Sequence, residues 1–477
     1  MKKINDLLNY SVQHNILKKR DKVYALNQLL YLLEIEEGFE LQDYIVTISI
    51  NTILNELVAE YKNFPNKIEK ELFKSKLMAA VMDKPSRIEQ EFYQNYQISP
   101  QQATDYFYNL SSAVNYIKKS EIAKNVVYQS PSQYGMLDIT INLSKPEKTP
   151  EEIKILKQHT STNWPACFLC KEEEGFYGNF KNPDRANHRL ITLKLNAREW
   201  FFQYSPYSYY REHSIVLSKD HEDMKLNKNT FSNLLAFIDQ FPHYMIGSNA
   251  DLPIVGGSML THDHYQAGCY EFPLFKVQTL YETTMNKIQV QILNWALSTI
   301  RLIGPNKEAL IEKANDIFQS WLVYENKTLE IISKTTDQHN TITPIVRKQN
   351  ANYEIYLILR NNRTTKTYPD GIFHPHQDKH HIKKENIGLI EAMGLAVLPG
   401  RLLTEMTLLQ EIIMTKQPLP KALQKHESYY QKYQNYSQNN LEEVLKLEIG
   451  KTFELVLEDC SVFKENLQAF KNFLINI

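Results

Sequence analysis

The chain has 477 residues, 43% of them hydrophobic and 23% charged, with a formal net charge of -1. That length exceeds what one hydrophobic core usually organises, so two or three modules are expected of an otherwise ordinary globular composition. With no global excess of positive charge, neither nucleic acid nor a membrane surface is expected as a partner.

No apolar stretch follows the opening Met-Lys-Lys-Ile-Asn-Asp, so no secretory signal is expected. Residues 22–36 and 67–82 place apolar side chains three and four apart, which predicts helices. Ser99-Pro100 predicts a helix start, with Pro100 in the first turn. The texture changes near residue 134. Residues 134–143 alternate and are rich in β-branched types, as a half-buried strand requires, and 145–149 reads as a loop leading into a short helix. Strands are expected at 190–195, 199–204 and 214–217, with an apolar run at 253–260 and one helix at 229–241. A long helix is expected over 279–314, continued by 317–323, then a strand at 353–359 and a helix at 402–416. Residues 426–439, rich in Gln, Tyr and Asn, read as a mobile crossover. No uncharged apolar run approaches the ~18 residues that span a bilayer. The expectation is an α+β protein: a helical N-terminal region over 1–130, a half carrying the chemistry at 131–275, and a second half at 276–477.

Only 14 glycines occur, roughly 3% against a usual share of about 7%. A phosphate-cradling glycine loop is therefore not the main device, and no Walker or dinucleotide fingerprint is present. The sharpest feature is instead Gly257-Ser-Met-Leu-Thr-His262-Asp-His264-Tyr-Gln266. On a strand, positions 262, 264 and 266 share one face. A neutral imidazole is a good nucleophile toward phosphorus, and a glutamine amide can donate to a phosphoryl oxygen as charge builds there. Gly256 and Gly257 let a ligand or backbone approach closely. The bland reading, a metal site or a solvated strand face, stands at even odds on spacing alone. The four cysteines include the close pair Cys167 and Cys170, half of a tetrahedral zinc site, which suits a reducing, cytoplasmic compartment. His188, His213, His221 and His262 are the histidines that could complete it.

Taken together, Asp251-Leu-Pro-Ile-Val-Gly-Gly-Ser-Met-Leu-Thr-His-Asp-His-Tyr-Gln266 resembles the signature of the second, bacterial class of galactose-1-phosphate uridylyltransferases, in the histidine-triad superfamily. Phe202-Gln-Tyr-Ser-Pro-Tyr-Ser-Tyr-Tyr210, Glu212-His-Ser-Ile-Val216, Ala103-Thr-Asp-Tyr-Phe-Tyr108, the stretch from Tyr134 to Lys148, Glu391-Ala-Met-Gly-Leu395 and Leu398-Pro-Gly-Arg401 carry the same likeness. The resemblance implies two histidine-triad-like antiparallel halves with packed helices. It also implies UDP-glucose–hexose-1-phosphate uridylyltransferase activity in galactose metabolism. By resemblance, His264 attacks the α-phosphorus of UDP-glucose and expels glucose 1-phosphate. Galactose 1-phosphate then discharges the uridylyl-histidine as UDP-galactose, and Gln266 binds phosphoryl oxygens.

The first class of the family carries a structural zinc, which implies Cys167, Cys170 and His262 as ligands here, with His221 favoured over His213 for the remaining place. Where that class has Phe-Glu-Asn, this chain has Ser248-Asn249-Ala-Asp251, so the phosphate-binding amide falls to Asn249 or is replaced by Asp251. Gly257 and Ser258 beside the glycine pair are further substrate-binding candidates, as are Arg185 and Asn187 in the donor-rich Asp184-Arg-Ala-Asn-His-Arg189. Asp263, on the opposite strand face, is expected to be structural. His374-Pro-His376 lacks the following glutamine and is read as a surface turn or a second metal site. Family likeness implies a homodimer. The rival readings are another histidine-triad enzyme, such as a dinucleoside polyphosphate phosphorylase, and a UDP-sugar-binding protein without turnover.

Overall fold

The computed structural model describes residues 1–144, 164–179, 182, 184–257 and 259–477. The strands in chain order begin with β1 (Val126–Ser132), β2 (Gly135–Asn142), β3 (Ile191–Leu195), β4 (Arg198–Tyr204) and β5 (Ser214–Ser218). Then come β6 (Met245–Gly247), β7 (His264–Gly268), β8 (Thr279–Met285), β9 (Ile288–Leu293) and β10 (Thr299–Gly304). The last are β11 (Asn340–Gln349), β12 (Asn352–Asn361) and β13 (Leu395–Pro399). Mixed helices and mainly antiparallel strands make this an α+β protein, and two compact units divide it.

The first unit comprises the described parts of Met1–Ala123, Glu147–Ser208 and Glu212–Glu222. Its helices follow the expected apolar spacing. Lys22–Leu33 buries Ala25, Leu26, Leu29, Leu30 and Leu33 on one stripe, and Lys67–Ala80 buries Leu72, Leu77 and Met78. Pro100–Ala113 starts where expected, with the Ser99 hydroxyl accepting from the Gln102 N–H at 3.1 Å. β3, β4 and β5 form an antiparallel meander. Phe107 of the preceding helix packs on Phe202 and Tyr204 of β4.

The second unit holds the described parts of Lys124–Pro146, Tyr209–Arg211 and Asp223–Ile477. β11 and β12, ten residues each, form a hairpin whose turn takes Asn350 into positive φ, a conformation asparagine tolerates. Around it β6 and β7 add on the β11 side and β10, β9 and β8 on the β12 side. β12 is flanked on both sides and reads as a near-continuous apolar run, Tyr-Glu-Ile-Tyr-Leu-Ile-Leu, because both its faces are covered. The helix Lys228–Gln240 appears as expected, closed by a reciprocal cap between Asn227 and Thr230. Lys307–Val323 packs on the sheet, with the Trp321 indole N–H donating to the Thr341 carbonyl. A second sheet, β1-β2-β13, lies against Leu441–Asp459; Leu137, Ile139 and Ile141 of β2 sit in its core. Each fully buried aliphatic side chain there contributes about 1.5–3 kcal/mol.

Three expectations need correction. The helix foreseen over 279–314 is instead β8, β9 and β10 followed by the helix Lys307–Val323. The described part of the run at 253–260 forms turns rather than a strand. The stretch 426–439 carries the helix Glu427–Tyr433, anchored by Tyr429, whose hydroxyl reaches the Glu448 carbonyl at 2.9 Å. The short helix expected after 145–149 lies outside the described residues. No helix among the described residues is long and apolar enough to cross a membrane.

Candidate active site

β7 opens at His264, so the expected alternation holds for His264 and Gln266, while His262 precedes the strand. His264 is buried, and its Nδ1 lies 2.8 Å from the His262 carbonyl oxygen. A carbonyl only accepts, so Nδ1 carries the proton and Nε2 keeps its lone pair. Burial lowers the ring's pKa to about 4 against a weaker raising pull from that carbonyl, so the imidazole is neutral near pH 7. Gln266 is partly buried and pairs in register with Gly247 of β6.

The chain upstream of the two histidines curls tightly. A Cβ on Gly256 would lie 2.3 Å from the Ala250 carbonyl oxygen, and one on Gly257 would lie 2.6 Å from Asn249 Nδ2. Only glycine permits this approach. Asn249 is buried and its Oδ1 accepts from the Leu389 N–H at 2.9 Å. Asp251 uses both carboxylate oxygens within the fold: Oδ1 accepts from the Thr341 hydroxyl at 2.6 Å and Oδ2 from the Leu226 N–H at 3.0 Å. Ser258 lies outside the described residues.

In the Cys-x-x-Cys turn the Cys170 N–H donates to the Cys167 carbonyl at 3.1 Å. The two sulfurs lie 3.6 Å apart, and Cys170 Sγ is 3.2 Å from His221 Nδ1. Within the first unit the ligand atoms of Cys167, Cys170 and His221 all fall within 4.8 Å of one another. Two thiolates and an imidazole so placed fit a divalent metal, zinc above all. His221, not His213, joins the group. Burial pushes the Cys170 thiol up to about 12, a shift that a bound cation reverses by taking the thiolate.

Arg185 and Asn187 are buried in the first unit. Arg185 donates to the Tyr116 hydroxyl at 2.9 Å and Asn187 Nδ2 to the Val114 carbonyl at 2.8 Å. Glu173, which sequence reasoning passed over, lies beside Arg185 at 3.8 Å, its carboxyl pushed up to about 7 by burial. His374 and His376 join no group of three or more metal-ligating side chains among the described residues. His374 Nε2 contacts Asn386 Oδ1 at 3.2 Å, whereas His376 meets Asp459 and the Ile372 carbonyl, and no third ligand joins them. A lone Asn386 or Asp459 carries no spacing signal, which is why these partners were not foreseen.

A buried neutral imidazole with a carboxamide two strand positions on is an arrangement suited to group transfer through histidine. The chain belongs to the galactose-1-phosphate uridyl transferase family: the family's N-terminal domain matches residues 17–223 and its C-terminal domain residues 237–428. It is 46% identical to the galactose-1-phosphate uridylyltransferase of Clostridium perfringens, over 98% of this chain and 97% of that one. It is 47% identical to the enzyme of that name from Clostridium acetobutylicum, over 99% and 98% respectively. The corresponding figures for the Lactococcus lactis protein are 43%, 98% and 97%.

Proposed function

We propose that this enzyme transfers UMP from UDP-glucose to galactose 1-phosphate through a uridylyl group carried on His264 Nε2. The observation that carries the reading is the bond between His264 Nδ1 and the His262 carbonyl at 2.8 Å. With the ring proton on Nδ1, facing that carbonyl, Nε2 keeps its lone pair as the nucleophile. In the first half-reaction an N–P bond forms to the α-phosphorus, and the bond to the bridging oxygen breaks. Its electron pair departs on glucose 1-phosphate. In the second, a phosphate oxygen of galactose 1-phosphate attacks the same phosphorus and the N–P bond breaks. Both phosphates are already ionised, so no proton need be relayed, and one set of oriented groups serves both directions.

Gln266 donates its amide to a non-bridging oxygen as charge grows there. Asn249, Gly257 and Ser258 are proposed to meet the phosphates. Asp251, its oxygens already engaged by Thr341 and Leu226, contributes by shaping the turn. Arg185 and Asn187 are proposed as further substrate contacts. Zinc held by Cys167, Cys170, His221 and His262 would act as a structural ion, fixing His262 and so the carbonyl that orients His264. A cytoplasmic homodimer is proposed for the native state.

The test is incubation with UDP-glucose labelled at the α-phosphate, without acceptor. Acid-labile, base-stable label is expected on the wild type and not on His264→Gly, and galactose 1-phosphate should discharge it as UDP-galactose. A wild type that binds UDP-glucose yet takes up no label would overturn the covalent course.

A further inference from the structure

The turn that leads into the active-site histidines is held by a segment far along the chain. Asn249 at its start accepts the Leu389 N–H at 2.9 Å. At its end, Asn386 Nδ2 reaches the Gly256 carbonyl at a long 3.5 Å. Between them the Asn362 amide donates to the Pro253 carbonyl at 3.3 Å. Ile254 sits at φ +75, a region a β-branched residue occupies only when its surroundings dictate it. Those surroundings are close: a Cβ on Gly371 would lie 3.1 Å from Ile254 Cγ2 and 2.9 Å from the His374 Cβ.

His374-Pro-His376 is the centre of this grip. His376 pins the turn outward: its backbone N–H donates to Asp459 at 2.9 Å, its Nδ1 lies 3.2 Å from the other Asp459 oxygen, and its ring stacks on Tyr368. His374, buried, faces inward, with Nε2 3.2 Å from Asn386 Oδ1. Both ring nitrogens of His374 face acceptors, Nδ1 the Pro375 carbonyl at 3.2 Å and Nε2 Asn386 Oδ1 at 3.2 Å, and the tautomer protonated at Nε2 is the one that donates to Asn386, whose amide nitrogen is turned to the Gly256 carbonyl.

We propose that His374 and Asn386 are positioning residues for uridylyl transfer: His374 orients the Asn386 carboxamide, and Asn386 holds the Gly256 end of the phosphate-facing turn. This rests on the reading of His264 as the nucleophile. It assigns the second His-x-His pair a mechanical part in place of a metal. A turn displaced by an ångström misaligns the α-phosphate without touching the chemistry, a loss on the order of a hundredfold at most.

Three variants separate this from simple packing. Gln at 374 keeps a donor where Nε2 stands, whereas Leu keeps bulk and loses it. His374→Leu and Asn386→Ala are expected to slow single-turnover labelling from UDP-glucose by roughly ten- to a hundredfold. Their KM should stay within about threefold, and His374→Gln should keep most of the rate. Hydrogen–deuterium exchange reads the same claim without activity: amides at 250–257 should exchange faster in His374→Leu and Asn386→Ala than in His374→Gln, with β11 and β12 unchanged. Unaltered exchange there, or His374→Gln as impaired as His374→Leu in both measurements, overturns the proposal. A wild type that takes no label while exchange responds as expected would overturn the uridylyl-enzyme instead and leave the positioning role standing.

Discussion

Gly257 has no room for a side chain, and Asn249 is what fills the space. A Cβ there would come within 2.6 Å of Asn249 Nδ2 and 2.9 Å of its Cγ, while the same carboxamide is tethered through Oδ1 to Leu389. Gly257→Ala therefore forces Asn249 off that tether. The expected result is a fall of roughly ten- to a hundredfold in kcat/KM for UDP-glucose, with a much smaller change in Tm. Turnover equal to the wild type would make Asn249 a bystander. The glycine pair and His-Asp-His-Tyr-Gln were legible because period-two spacing and chemically distinctive side chains survive in one dimension. Asp251 was less so. Its competing roles, phosphate ligand or structural carboxylate, differ only in partners, Thr341 and Leu226, that no local spacing reveals.

Among the secondary-structure elements, apolar periodicity marks the helices of the first unit and the β12 strand, whereas over β8, β9 and β10 it imitates one helix. The reason lies in a turn. β8 and β9 are joined by Asn286 and Lys287, both at positive φ, +49 and +66, a two-residue hairpin turn that usually advertises itself as Asn-Gly. Lysine at the second place hides the signal, and the alternation of β8, half-exposed on one side, passes for a helical stripe. The same argument makes a stability prediction. Lysine pays a left-handed penalty that glycine avoids, so Lys287→Gly should stabilise the fold by up to about 1 kcal/mol. Denaturant melts would show it as a higher midpoint at constant slope; an unchanged or lower midpoint would mean the turn is held by contacts rather than by preference.

For the protein as an entity, the Cys2His2 group is the largest single bet on stability. Its proposed ligands are Cys167, Cys170, His221 and His262, and a ligand present at a hundred times its Kd adds about 2.7 kcal/mol to the folded state. Protein purified without chelator should carry about one zinc per chain, and stripping it, or Cys170→Ser, should lower Tm by several degrees. A metal-free preparation whose Tm ignores chelator would remove zinc from the account. The cysteine pair and His262 could be proposed from the sequence, and family likeness favoured His221 over His213; spacing alone did not separate the two, because both stand near the same strand.

β2 has a partner on each side, and the two are made at very different times. β1 precedes it by a short turn, but its parallel neighbour β13 leaves the ribosome about 250 residues later. At synthesis rates of roughly 5–20 residues per second, that is a delay on the order of 10–50 s. Through it, Leu137, Ile139 and Ile141, all buried in the finished protein, have no lasting cover. Nascent chains halted before Leu395 should therefore bind a hydrophobic dye or a holdase chaperone through this strand, and released full-length chains should not. If halted chains bind neither, the β1-β2 hairpin shelters itself, and the enzyme matures without a vulnerable interval.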